Sequence, residues 1–587
     1  FSWGAWGWLG CHAIALWLAG LYRPGLRHAG QELLGQVLRG VLLGSVCFAI
    51  LLFFQPKILL PRSILVMGPI FGLLSLISMR LIFRWIIRVH LLGATSRVRS
   101  AVAIYGAGVA GLELYESLLY QRSYLIRAFV DDDPKLQGRQ LRGIPIISPS
   151  SLEEYRENLD LRWVFLAMPR ASHERRREIL EQLRPLQIGV KVLPTIDQLL
   201  DGKGSYKALQ EVQAADLLGR DEIAPDLSLL EKDIRGKTIL VTGAGGSIGS
   251  ELCREILRQK PKKLILLEQH EHALYQIERE LRLQILGTEL VPCLSSILEK
   301  TRIVELLQQH QVETVYHAAA YKHVPLVEVN PLEGLRNNVL GTESLLEACQ
   351  SHLPQSFVLV STDKAVRPTN VMGSSKRMAE LLVQDASRRW PECRWTMVRF
   401  GNVLDSSGSV IPLFREQLNS GKPLTVTHPE ITRYFMSIGE AVRLVIQAGA
   451  MAQGGEVFLL DMGHPVKIAE LARQMIELSG YVPERDVPIQ FTGLRPGEKL
   501  YEELLIEPEQ AEVTTHPRIF RSHEPLPKTI TIQAEIGVLK KAIAENDLET
   551  ALGVMRRLVP EYGPVEQTQL LQAGPVLSQS VSSKLMN

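Results

Sequence analysis

The sequence has no paired cysteines, no charge imbalance and no charged residue in its first 21 positions. Its six cysteines (Cys11, Cys47, Cys253, Cys293, Cys349 and Cys393) are scattered without a C-x-x-C pair. That suggests neither a cysteine zinc site nor a disulfide framework and fits a reducing, cytosolic catalytic part. Lys+Arg 65 against Asp+Glu 63 leaves a net charge of +2, so there is no electrostatic reason to expect a nucleic-acid partner. No metal is expected either, although His270 and His272 flank Glu271 near a helix start. What the chain does have is length and apolar surface. At 587 residues it calls for three or four units. Its 46% hydrophobic content, with mean hydropathy +0.06, is high for a soluble enzyme carrying 22% charge, and the excess sits at one end.

Residues 1–21, 37–54 and 64–82 are apolar runs, each near the roughly 20 residues that a bilayer-spanning helix needs. Arg84, Arg88, Arg97 and Arg99 follow the third run, and the basic excess on the cytoplasmic side of membranes then puts everything downstream in the cytosol. Membrane lipid is thus an expected partner of 1–95, with about three spans. The chain starts at Phe1 inside an apolar run, so further sequence upstream is expected.

Residues 96–200 read as a small α/β unit. Val102-Ala-Ile-Tyr105 is a strand, Gly106-Ala-Gly-Val-Ala-Gly111 is a G-x-G-x-x-G, and Asp131 follows about twenty residues on. The unit is either a nucleotide holder or a packing domain that kept the fold. Residues 201–232 read as a linker, and 526–587 as a helical segment with a flexible tail.

The stretch from Lys237 to Gly249, Lys-Thr-Ile-Leu-Val-Thr-Gly-Ala-Gly-Gly-Ser-Ile-Gly, opens the main unit, 233–525. A buried strand breaks at Thr242-Gly243 and helical spacing resumes at Ser250. Gly243 allows the turn, Gly246 leaves no Cβ in the way of a pyrophosphate, and Gly249 lets helix and strand pack closely. The helix N-terminus offers free N–H groups to phosphate. A second strand, Leu264-Ile-Leu-Leu267, ends in Glu268, whose carboxylate can accept ribose hydroxyls and would repel a 2′-phosphate, favouring NAD over NADP. Further strands are expected at 290–293, 314–317, 357–360 and 396–400, alternating with helices as in a doubly wound parallel sheet of the α/β class.

Four clusters lie at or just beyond these strand ends: His317-Ala-Ala-Ala-Tyr-Lys-His-Val-Pro325, Ser361-Thr-Asp-Lys-Ala-Val366, Met372-Gly-Ser-Ser-Lys376 and Arg399-Phe-Gly-Asn-Val403. Thr432-Arg-Tyr-Phe-Met436 and Gly493-Leu-Arg-Pro-Gly-Glu-Lys-Leu500 extend the pattern. Together with the glycine loop they resemble the extended short-chain dehydrogenase/reductases, specifically the membrane-bound nucleotide-sugar 4,6-dehydratases of bacterial polysaccharide and glycan biosynthesis.

That resemblance implies a Rossmann domain with a substrate-binding subdomain, bound NAD, a UDP-sugar substrate, a homo-oligomer, and a multi-pass location in the bacterial inner membrane with cytoplasmic catalytic domains. It implies cofactor contacts from Gly243, Gly246, Ser247, Ile248, Gly249, Glu268, Ser296, Ala318 and Lys376. In the superfamily a Tyr-x-x-x-Lys pair acts on the substrate hydroxyl; here Met372 holds the tyrosine place, as in the large dehydratase group. The proton work then falls to Asp363 and Lys364. In the implied reaction hydride passes from C4 of the sugar to NAD, the C5 proton and the C6 hydroxyl leave as water, and hydride returns at C6. Asp363 takes the C4 hydroxyl proton and assists loss of water, Lys364 helps at C5, Thr362 orients the C4 oxygen, and Lys376 holds the ribose. Each needs a suitable pKa within hydrogen-bond reach.

Asn402, Arg433, Arg495 and Glu498 are the implied nucleotide-diphosphate residues, arginine offering phosphate paired planar donors. Tyr321, Lys322 and His323 are expected to line the sugar pocket. Two departures stand out. Ser296 lies where an adenine-binding Asp is usual, and Asp405 and Ser407 replace a glycine and an arginine, which bears on substrate identity more than on reaction type. A 4-epimerase and a non-catalytic sugar-nucleotide-binding membrane protein are the alternatives.

Overall fold

The computed structural model describes residues 2–19, 32–54, 62–86, 100–121, 124–194, 209–212, 214–218, 220, 223–284, 287–503, 511–526 and 531–563. The chain divides into two compact units, Phe1–Arg99 and Ser100–Asn587.

The first unit holds α1 (Ser2–Leu18), α2 (Glu32–Phe54) and α3 (Arg62–Ile86). Gly40 and Gly44, one turn apart on α2, let α1 approach closely: a Cβ on them would come within 2.6 Å of Leu16 and 2.9 Å of His12. Small residues at this spacing are the means by which apolar helices associate where water supplies no driving force. Val37–Phe54, with mean hydropathy 2.4, is the one stretch among the described residues long and apolar enough to cross a membrane; α1 has 17 residues, and α3 contains Pro69. The loops with Arg23, Arg27, Arg88, Arg97 and Arg99 fall outside the described residues.

The second unit contains two sheets. The smaller has the order β3 (Gln140–Leu141), β4 (Ile144–Ile147), β2 (Tyr124–Val130), β1 (Ser100–Tyr105), β5 (Leu161–Leu166), β6 (Gly189–Val192), β7 (Gln210–Glu211). Its central strands are parallel, and α4 (Val109–Gln121), α5 (Leu152–Leu159) and α6 (His173–Leu183) connect them. β7 lies within the stretch expected as a linker and closes one sheet edge antiparallel to β6.

The larger sheet runs β10 (Glu289–Leu294), β9 (Lys263–Glu268), β8 (Thr238–Thr242), β11 (Thr314–His317), β12 (Ser356–Val360), β13 (Arg394–Arg399), β14 (Val457–Leu460), β16 (Ile519–Ser522), β15 (Glu512–Val513). The first seven are parallel and the last two join antiparallel. The apolar residues of β8, β9 and β11–β14 are buried on both faces, as parallel strands covered by helices must be. The expected strands all form. The order reverses between β8 and β11, so a crevice opens beyond their carboxyl ends. Around it stand α7 (Ser247–Arg258), α8 (Glu271–Arg282) and the almost wholly buried α9 (Val371–Arg389), capped by the Asn370 side chain on Gly373 N–H at 2.7 Å.

The segment after β14 includes α10 (Ile468–Leu478), which shares a continuous apolar core with the smaller sheet. Arg184 bridges to Glu470 and Glu477 across that junction. After β16, α11 (Ile532–Ala544) and α12 (Leu548–Leu558) bury Ile536, Leu539, Val554 and Met555 in the core beneath α9.

Candidate active site at the carboxyl ends of the strands

The glycine loop is built to admit a diphosphate. Gly243 has φ +67°, and a Cβ there would stand 2.8 Å from the Ala319 backbone, so the close crossing of the Ala318–Ala319 segment requires glycine. A Cβ on Gly249 would lie 1.9 Å from the Gly243 carbonyl, whereas at Gly246 the sole neighbour within 4 Å is that carbonyl at 3.3 Å. Gly246 is the N-cap of α7 and no side chain caps the helix, which leaves the first-turn N–H groups of Ser247 and Ile248 without a side-chain acceptor, as an anion site needs. Glu268, at the end of β9, accepts from Gly245 N–H at 3.0 Å and His270 N–H at 3.0 Å. The carboxylate fixes the loop and retains lone pairs for ribose hydroxyls. Ser296 Oγ accepts from Leu298 N–H at 3.2 Å, a local turn contact. His270 caps α8, and His272 pairs with Gln276. The residues present therefore fit a dinucleotide: an open cradle, a bare helix terminus and a carboxylate at the second strand.

Asp363 is 1% exposed on the loop that leaves β12, and its N–H is held by the Phe400 carbonyl at 3.1 Å. Its Oδ1 accepts from Thr362 Oγ1 and from Lys364 Nζ, both at 2.9 Å. Its Oδ2 is buried without a hydrogen-bond partner. Gly401 makes room for that oxygen: a Cβ there would stand 3.2 Å from it and from Tyr434 Cβ. Burial pushes the Asp363 carboxyl up, more than Lys364 draws it down. Lys364 Nζ also donates to Asn402 Oδ1 at 3.1 Å. Burial lowers the lysine, but Asp363 and Glu502 outweigh it and hold the ammonium above its usual range.

Met372, 2% exposed in the first turn of α9, packs in the apolar core. One turn on, Lys376 Nζ donates to the Val360 carbonyl at 2.7 Å, and burial brings its pKa down to about 8. His317, at the end of β11, accepts from Thr242 Oγ1 at 2.7 Å and donates to Thr342 Oγ1 at 2.9 Å, since the Thr342 hydroxyl is itself given to the Asn338 carbonyl at 2.7 Å. Burial, with Lys376 nearby, lowers His317 to about 3.

Arg433 Nη2 lies 3.3 Å from Glu498 Oε1, and Thr427 Oγ1 donates to the same oxygen at 3.3 Å. Arg495 is exposed, and its backbone N–H donates to Glu498 Oε2 at 3.2 Å. Tyr321 and Lys322 are exposed at the rim. Asn338, in a π-helical turn at Arg336–Leu340, pins both backbone groups of Tyr321 and Ser375 Oγ as well. Asp405 takes φ +56°, which explains why glycine suits that place, and pairs with Arg415 at 2.6 Å. Ser407 N–H donates to Ser247 Oγ at 3.2 Å, tying this loop to the glycine loop.

Three groups of the cluster escaped the motif reading: Glu502, which faces Lys364; Tyr434, whose phenol is raised by burial and by the Asp363 charge; and Asn338. Glu502 and Tyr434 sit inside or beside quoted motifs, so the local pattern was in view while their long-range neighbours were not.

A family model described as polysaccharide biosynthesis protein matches residues 239–524, and one described as CoA-binding domain matches residues 18–194. The chain is 44% identical over 433 residues to a capsular polysaccharide biosynthesis protein of Staphylococcus aureus, covering 72% of this chain and 71% of that one. It is 42% identical over 425 residues to a probable polysaccharide biosynthesis protein of Bacillus subtilis, covering 72% and 71%. A solved structure of Pen from Bacillus thuringiensis aligns with TM-score 0.46 at 31% identity, over 53% of this chain and 98% of that one.

Proposed function

The chain belongs to the polysaccharide biosynthesis protein family, and from that premise we propose that it is an NAD-dependent 4,6-dehydratase of a UDP-linked N-acetylhexosamine, UDP-N-acetylglucosamine first. The observation that carries this reading is Asp363: a buried carboxylate with one oxygen tied to Thr362 and Lys364 and the other unpartnered, in a site where Met372 has no proton to transfer.

The loop 243–249, Glu268 and Lys376 would hold NAD, which when bound would supply reversible hydride acceptance from the sugar. Asp363 Oδ2 accepts the C4 hydroxyl proton, and its raised pKa lets it keep that proton until the C6 oxygen departs as water. Thr362 orients the C4 oxygen. Lys364, held as an ammonium by Asp363 and Glu502, helps at C5, where its charge offsets the negative charge that builds on the C4 oxygen as the C5 proton leaves. Arg433, with Arg495 and Asn402, binds the diphosphate, and Glu498 accepts a ribose hydroxyl. α2, with α1 and α3, anchors the chain in the bacterial inner membrane, leaving the catalytic half in the cytosol.

The test is incubation of the solubilised protein with UDP-N-acetylglucosamine in deuterated water. A 4-keto-6-deoxy product carrying deuterium at C5 is expected. An unlabelled C4 epimer would make the protein an epimerase, and recovered substrate a binding module.

A further inference from the structure

Lys364 and Arg433 lie on separate segments, the loop after β12 and the short strand Thr432–Arg433. Glu502 stands between them. Its side chain is 4% exposed, with Oε1 3.7 Å from Lys364 Nζ and 3.8 Å from Arg433 Nε, while Oε2 is buried without a hydrogen-bond partner. Among the described ion pairs it is the one carboxylate within 4 Å of both cations. A buried pair kept for structure closes to hydrogen-bond distance, as Arg399 and Glu380 do at 2.6 Å. Glu502 closes on neither partner and is shared between two.

We propose that Glu502 is a positioning residue that couples occupation of Arg433 to the charge of Lys364: when the diphosphate of a sugar nucleotide engages Arg433, Glu502 keeps Lys364 as its one cation within 4 Å and holds it as an ammonium. This rests on the dehydratase reading for its chemistry, though the coupling is electrostatic and needs no turnover. The charged groups facing Lys364 are Asp363, Glu502 and Arg433; those facing Glu502 are Lys364, Arg433 and Lys499. Burial raises Glu502, but its three cations outweigh burial and keep it anionic. Asp363 moves the other way. One carboxylate is thus free to take up a proton while the other keeps its charge, the arrangement by which paired carboxyls divide their roles.

The test uses the full chain in detergent, with Glu502→Gln and Glu502→Asp. Trace acylation of Lys364 with acetic anhydride across pH, read by mass spectrometry, reports the titration of that amine without any sugar. In Glu502→Gln it should move down by about one unit. UDP, measured by calorimetry, should bind about threefold more tightly, because Arg433 has lost a competing carboxylate. With UDP-N-acetylglucosamine, kcat should fall by about tenfold to a hundredfold while Glu502→Asp restores part of it. An unshifted Lys364 titration in Glu502→Gln overturns the proposal, and so does Glu502→Asp shifting as far as Glu502→Gln. If the wild-type chain makes no keto sugar, the dehydratase reading fails alone, and acylation and UDP binding still decide the role of Glu502.

Discussion

Asp363 and Glu502 face the same ammonium group, Lys364 Nζ lying 2.9 Å from Asp363 Oδ1 and 3.7 Å from Glu502 Oε1. Two carboxylates and one lysine carry a net negative charge in a buried setting, and Arg433 on the far side of Glu502 offsets it. The cluster is balanced while Asp363 Oδ2 and Glu502 Oε2 stay unpartnered, features that stability alone would not select.

Asp363→Asn should lower turnover at least about a hundredfold while bound nicotinamide, read from its absorbance after denaturation, stays at the wild-type level. The isosteric amide keeps the loop shape and removes the carboxylate's charge and its capacity to take up a proton. Turnover within about threefold of wild type would remove Asp363 from the mechanism.

His317 gives a stability test with a defined sign. Its folded pKa of about 3 lies below the ordinary histidine value, so the neutral ring stabilises the fold above about pH 6.5 and that contribution is lost as pH falls towards 3. Each unit of pH below about 6.5 withdraws about 1.4 kcal/mol. Melting temperature followed from pH 7 to pH 4.5 should therefore fall less steeply in His317→Gln than in wild type.

The two loop glycines should separate fold from cofactor. Gly249→Ala forces a Cβ into the Gly243 carbonyl and should destabilise by about 1–3 kcal/mol. Gly246→Ala meets no such obstacle in the chain and should leave the melting temperature of cofactor-free protein nearly unchanged, yet weaken NAD binding about tenfold or more. Equal effects of the two on NAD affinity at unchanged stability would count against a diphosphate at Gly246.

Met372→Leu conserves volume in a packed site and should keep kcat within about threefold of wild type, with a stability change under about 1.5 kcal/mol. A large kcat loss at unchanged stability would give the thioether a role in the reaction.

Arg399 is fully buried and bound by Glu380 and Glu524, with Arg377 bridging the same two carboxylates. Ser361, next to Thr362, donates to Glu380 at 2.6 Å. Arg399→Met leaves two carboxylates under-compensated and should destabilise by about 3–5 kcal/mol, read from denaturant unfolding of the solubilised chain.

The parallel sheet was legible because its strands are buried on both faces and therefore read as unbroken runs such as Leu264–Leu267. The cofactor loop was legible because its glycines answer a local steric demand within a dozen residues. Thr362, Asp363 and Lys364 are neighbours in sequence and meet in the structure, whereas Asn402, expected at the diphosphate, accepts from Lys364 Nζ at 3.1 Å, and Arg495 is exposed. Glu502, Tyr434 and Asn338 owe their place to neighbours distant in sequence; Tyr434 lies within Thr432–Met436 and Glu502 just past Leu500, but neither motif shows which group it faces. β7 was hidden for a different reason: two residues, Gln210–Glu211, are too few to show a period.

The pairing of Arg399 with Glu524 also orders events during synthesis. β13 is made long before the residue that completes its charge balance, and α11 and α12, which seal the same region, come later still. A nascent chain that has reached β14 holds two guanidiniums, Arg377 and Arg399, against one carboxylate, Glu380, and an open apolar face. The half built on the larger sheet therefore completes its core only once translation has passed the carboxyl-terminal helices.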